Sequence, residues 1–120
     1  MEAAEIRAAL GSFSGTEEYH AHWSRALVFT DGVRFLAEAA GAYWLIDLIA
    51  SWQRVALQDA CLREFQLWEL HVREDRSALV VCSRDSEDVA FSQEVEFTDF
   101  PLEYAKLYVE ERVLLLPSEH

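Results

Sequence analysis

A chain of 120 residues fits one domain, and with about half its residues apolar it can bury a core without disulfide or metal staples. Its formal net charge of −12 sets 22 acids against 10 bases, and residues 64–120 hold 14 of those acids. So few cations argue against direct binding to nucleic acid or to an anionic membrane, because both rest on Lys and Arg neutralising phosphates. They favour a basic partner, although solubility alone also explains an acidic surface.

Residues 3–10 read as a short helix stopped at Gly11, and the start Met1-Glu2-Ala3-Ala4-Glu5 lacks the basic character of a signal peptide. Ser12 to Thr16 is a turn. The next two stretches, "YHAHW" and "RALVFT", carry the aromatic and β-branched residues of short strands. Ser14 with Glu17 three residues later offers a competing capping box. Asp31 is the expected N-cap of a helix over Val33–Ala40, with Gly41 as its stop. Residues 42–53 form a second helix, apolar nearly all round and therefore central, with Asp47 and Ser51 as exceptions. Gln53 to Cys61 is a further turn or short helix.

Beyond that point the period changes from helical to alternating. In residues 64–73, Trp68, Leu70 and Val72 share one face and Glu69, His71 and Arg73 the other. Residues 78–84 and 90–97 are the next strands, joined by the acidic turn 85–88. In the second of them Phe91, Val95 and Phe97 are expected inward. "YAKLYV" and "RVLLL" then flank Glu110-Glu111 as a last hairpin, closed by Pro117. The expected fold is a single α+β domain over residues 1–120, with N-terminal helices packed on a C-terminal antiparallel sheet of four or five strands. Cys61 and Cys82 have no disulfide or metal spacing and read as buried or half-buried thiols in a reducing compartment. The longest apolar run, Ala39 to Ile46, is too short to span a membrane, so a cytoplasmic protein is expected.

His20 and His22 share a face if their stretch is a strand, which is a fair start for a metal site. The third ligand is lacking in any recognisable motif, so no metal or cofactor is expected. The preferred reading makes His22 a polar tie to a carboxylate, His20 incidental, and Tyr19 and Trp23 packing residues. Asp47, inside an apolar helix, must be paired; Arg25, Arg34, Arg54 and His22 are its candidates. No nucleophile elbow, P-loop or dinucleotide fingerprint is present, so no catalytic residue is assigned. The remaining signal is acidic. Glu94 and Glu96 project from one strand about 6.7 Å apart, and Asp85, Glu87 and Asp88 precede them in the turn. These five are the expected partner-binding residues, a surface that could imitate phosphates.

Several pieces together resemble a family of small bacterial proteins of unknown function, often met on mobile elements. They are Thr30-Asp31-Gly32-Val33, Ala42-Tyr43-Trp44-Leu45-Ile46-Asp47, Leu62-Arg63 with Phe65-Gln66 and Trp68, Thr98-Asp99-Phe100-Pro101-Leu102, and Leu114-Leu115-Leu116-Pro117-Ser118-Glu119. The resemblance spans about residues 19 to 119, includes His22 but not His20, and implies no activity and no catalytic residues. It also implies a departure in the last hairpin, where similar proteins often have Asn-Gly in place of Glu111-Arg112. The expected function is a small acidic interaction module that binds or inhibits a basic, nucleic-acid-handling partner, for example as an anti-CRISPR or other anti-defence protein. The alternatives are a small hydrolase or metal protein using His22, Asp47 and His71, and a purely structural oligomer such as a homodimer.

Overall fold

The computed structural model describes the whole chain, Met1–His120. Its elements run α1 (Ala3–Leu10), β1 (Tyr19–Ala21), β2 (Val28–Thr30), α2 (Asp31–Ala40), α3 (Tyr43–Ala56), α4 (Ala60–Glu64), β3 (Phe65–Val72), β4 (Ala78–Asp85), β5 (Asp88–Val95), β6 (Tyr104–Glu110) and β7 (Val113–Leu115), then a 3₁₀ turn at Pro117–Glu119. The class is α+β, as expected. The sheet is larger than expected, with seven strands in the order β1-β2-β7-β6-β3-β4-β5. The two short N-terminal strands join the same sheet because β2 pairs with β7, Val28 against Val113 and Phe29 against Leu114. That pairing is parallel, so the sheet is mixed. The other neighbours are antiparallel.

Local chemistry explains the boundaries. The Thr30 hydroxyl, not the Asp31 carboxylate, accepts the Val33 N–H and caps α2; Asp31 is the first helical residue. Gly41, in the left-handed region at φ 63, ends that helix. Asp59 caps α4 by accepting from the Cys61 and Leu62 amides. Register shifts between Cys82 and Asp85 end the regular β4–β5 pairing, and Phe97 falls beyond β5. It is exposed rather than inward.

One face of the sheet packs on the helices. Trp68, Leu70, Val80, Cys82, Leu107, Val109 and Leu114 meet Leu36, Ala37, Leu45, Ile46 and Ile49 there. Burial pushes the Cys82 thiol up to about 12, so it is inert core. Cys61, by contrast, is exposed.

A polar network crosses this core. Gln53 on α3 and Gln66 on β3 exchange amide hydrogen bonds, 2.8 Å in each direction. Gln53 also donates to the Ile49 carbonyl and Gln66 to that of Leu62. The Trp68 indole N–H donates to Gln66 Oε1 at 2.8 Å. Both amides are fully buried and no buried side-chain polar atom is left unpaired. The network therefore fixes the angle of α3 on the sheet at little cost.

A second tie joins the chain's extremes. Glu119 accepts from the Thr30 hydroxyl (2.6 Å) and from the Gly32 (3.1 Å) and Leu116 (2.9 Å) amides. Its carboxylate thus sits at the N-terminus of α2, where the helix dipole favours negative charge. A Cβ on Gly32 would lie 2.6 Å from Leu116 Cδ1 and 2.7 Å from the Glu119 carboxyl carbon, so any side chain there would have to push these two side chains out of the clasp.

Candidate functional site

Around "EEYHAHW" the structure forms a strand, and each histidine takes a different aspartate. His20 Nε2 lies 2.9 Å from Asp31 Oδ1. Asp31 also accepts the Glu17 and Glu18 amides, and these partners, the His20 bond foremost, hold its carboxyl below the usual range. His20 is therefore a strap between β1 and α2 rather than incidental. His22 is buried and lies 2.7 Å from Asp47 Oδ1. Asp47 thus has a partner, as expected, but its side chain is half exposed rather than buried. The arginines are not involved.

The turn after β1 fixes the His22 proton. The Ser24 backbone N–H donates to His22 Nδ1 at 3.1 Å, so the neutral ring carries its proton on Nε2 and donates it to Asp47. The Ser24 hydroxyl lies 2.7 Å from the same Nδ1. Ser24, His22 and Asp47 therefore form a continuous hydroxyl–imidazole–carboxylate chain. Sequence reading missed Ser24, although its spacing of two from His22 was visible. The surroundings are those of a turn lock. The Ser24 amide is spent on His22, the Arg25 amide on the His22 carbonyl and the Ala26 amide on Ser24 Oγ. Three successive N–H groups that could have faced an oxyanion are thus occupied. None of the larger clefts is lined by Ser24, His22 or Asp47.

Trp23 stands beside this chain, 81 % exposed, with its ring 5.1 Å from the His22 ring and its indole N–H 3.2 Å from Asp47 Oδ1. Tyr19 is also largely exposed. Neither is a core residue: Tyr19 lies on the first strand of the sheet, which has a neighbour on one side only, and Trp23 lies in the turn beyond it. His71 lies elsewhere: it pairs with Tyr104 and alternates with the buried Leu70, so it points away from the helices. No three His, Cys, Asp or Glu side chains gather as a metal-ligand set.

The five acids expected to bind a partner are divided. Asp85, Glu87 and Asp88 surround one end of the β4–β5 hairpin, and Glu94 and Glu96 lie at the other, about 20 Å away along an extended strand. Arg84 pairs with Asp88 (3.1 Å) and with Asp59 (2.8 Å). Arg73 pairs with Glu94 through two bonds of 2.8 Å, which lowers the Glu94 carboxyl below its usual range. Asp85, Glu87 and Glu96 have no cationic partner.

A different acidic site forms on the sheet face away from the helices. Tyr19, Phe65, Val113 and Leu115 floor a groove of about 590 Å³ walled by Glu64, Glu110, Glu111 and Glu119, with His120 at its rim. Glu119 is saturated by the α2 clasp, and Glu110 pairs with His120. Glu64 and Glu111 are exposed, with no ion pair. Glu111 and Arg112 occupy the β6–β7 turn with φ of 49° and 69°. Two successive left-handed residues are the geometry for which Asn-Gly is favoured, so this turn is strained here.

A family model described as a family of unknown function (DUF6876) matches residues 4–120. The chain belongs to this family. No curated protein and no solved structure matches it. Four of the pieces that carry the resemblance acquire roles in the fold. Thr30 and Gly32 meet Glu119 in the α2 clasp, Asp47 receives His22, and Gln66 with Trp68 builds the buried network.

Proposed function

We propose that the protein is an acidic interaction module whose partner is a basic protein segment, gripped through the groove between Tyr19, Phe65, Val113 and Leu115. One observation carries this reading: carboxylates without cationic partners, Glu64 and Glu111, stand over an apolar, aromatic floor. Lys and Arg side chains pair an apolar stem with a charged head, and such a floor and wall complement both parts. Arginine neutralises only Glu38, Glu94, Asp59 and Asp88 within the chain, so the remaining field attracts cations. In its finer form the partner is a nucleic-acid-handling complex, and the acids, including Asp85, Glu87 and Glu96, stand in for phosphates. An anti-defence inhibitor is one such protein. No helix is long and apolar enough to cross a membrane.

The test is titration with a short peptide alternating Arg and Leu. Binding should weaken steeply with salt, and Glu64→Lys with Glu111→Lys should weaken it at least about ten-fold, or ~1.4 kcal/mol. A second variant separates binding from folding. Replacing Glu111 by Asn and Arg112 by Gly leaves the net charge unchanged, relieves the left-handed turn and removes one wall carboxylate. It should raise stability by about 1 kcal/mol while lowering affinity. Affinity untouched by either change would sink the groove.

The hydroxyl–imidazole–carboxylate chain of Ser24, His22 and Asp47 favours a second reading, a small hydrolase with Ser24 as nucleophile. A fluorophosphonate probe decides it: stoichiometric labelling of Ser24, abolished by His22→Gln, supports hydrolysis, and an unlabelled protein removes it.

A further inference from the structure

The two edges of the sheet are built differently. β1 is three residues long and follows Glu17 and Glu18, so it is short and charged, as protected edges are. β5 is longer, and its charges and a bulge at Ala90 lie toward its ends. It runs eight residues, contains no Pro or Lys, and its middle reads Val89-Ala90-Phe91-Ser92-Gln93. Its charged residues stand at the ends. Asp88 shares Arg84 with Asp59, and Glu94 pairs with Arg73, both arginines from within the chain. A chain of net charge −12 thus presents one strand edge whose middle residues, 89–93, carry no charge. Val89 is 59 % exposed on it. β4 is the only strand bonded to β5, which leaves its outer row of backbone groups open.

We infer that β5 is where two copies of this chain join, antiparallel about a two-fold axis, so that their sheets run on as one. A basic segment gains little here, because the strand's acids already hold arginines. A second copy gains backbone hydrogen bonds and self-matching side chains. With Ser92 on the axis, Phe91 faces Gln93, and the regular part of the strand ends at the bulge at Ala90. The two-fold axis is perpendicular to the sheet, which keeps both helical layers on one side. It also leaves the acidic groove, at the other half of the sheet, open in each copy. The contact is thus independent of the groove.

Sedimentation equilibrium over a wide concentration range tests this. A mass twice that of the chain should emerge with concentration, and added salt should strengthen the association by screening like-charged copies. Salt therefore acts here in the opposite direction to its effect on a basic partner. Ser92→Lys makes the protein less negative, so general repulsion falls, yet it sets two cations together on the axis. It should weaken self-association about ten-fold, while Ser14→Lys, with the same charge change in a distant loop, should not. In the unmodified protein, amide exchange across residues 88–95 should slow as concentration rises. A monomer at every concentration overturns the inference. So does a dimer that tolerates Ser92→Lys, or one whose β5 amides gain no protection.

Discussion

Three tryptophans give their indole N–H to a polar side chain, and two of the places could hardly differ more. Trp68 donates to Gln66 inside the core, where each amide group of Gln53 and Gln66 is also satisfied. Trp23 donates to Asp47 at the surface, on a ring that is 81 % exposed and a carboxylate that is half exposed. In the first, every partner is protein and water has no access. In the second, water or a ligand can replace any partner at little cost. Saturation with burial marks a structural polar group, and an aromatic held in place yet uncovered marks a surface that can still be used.

The sharpest way to break this contrast is Gln66→Leu. It orphans the Trp68 N–H and the Gln53 amide and should cost about 2–4 kcal/mol in denaturant unfolding. Changing Gln53 to Leu as well should recover part of that loss, because two apolar partners leave fewer buried groups unpaired. His22→Ala should come next, at about 1–2 kcal/mol, because a buried ring leaves Ser24 and Asp47 without their partner. Asp47→Asn should cost no more than about 1 kcal/mol, since solvent reaches the site, and Trp23→Ala should fall within about 0.5 kcal/mol. A Trp23 loss as large as that of Gln66 would erase the distinction.

Acid separates the regions again. The amide network holds no titratable group, so its contribution should not change with pH. Asp31, Asp59 and Glu94 are held below their usual range, foremost by His20, Arg84 and Arg73 respectively. A carboxyl depressed in the folded state stabilises fully above its unfolded value and loses that contribution as pH falls through the folded one. Between neutral pH and about pH 3, Asp31→Asn should therefore show a smaller fall in Tm than the unmodified protein. Gln66→Leu should show the same fall.

The regular elements were legible one by one because period carries over from sequence to backbone. Alternation in residues 64–73 became β3, and the apolar run after Gly41 became α3. Of "YHAHW", Tyr19–Ala21 became a strand despite the competing capping box, while His22 and Trp23 fell in the turn beyond it. The pairing of Asp47 with His22 was among the options its helix left open. Gln53 and Gln66 passed unnoticed, because a glutamine in sequence looks equally suited to water. What marks them is that each stands among apolar neighbours and that the two are complementary.

The α+β class, the charge that argues against a nucleic-acid ligand, and the family could be read from the chain before it folds, since these rest on composition, local period and recurring short strings. Tertiary structure alone decided that β2 joins β7 in parallel, that Glu119 clasps Thr30 and Gly32, that arginines divide and silence the acids of β5, and that Glu64 and Glu111 meet over one groove. The physical reason is distance along the chain. Periodicity and propensity act over a few residues, whereas these contacts join segments tens of residues apart and exist only once the sheet has closed around its core.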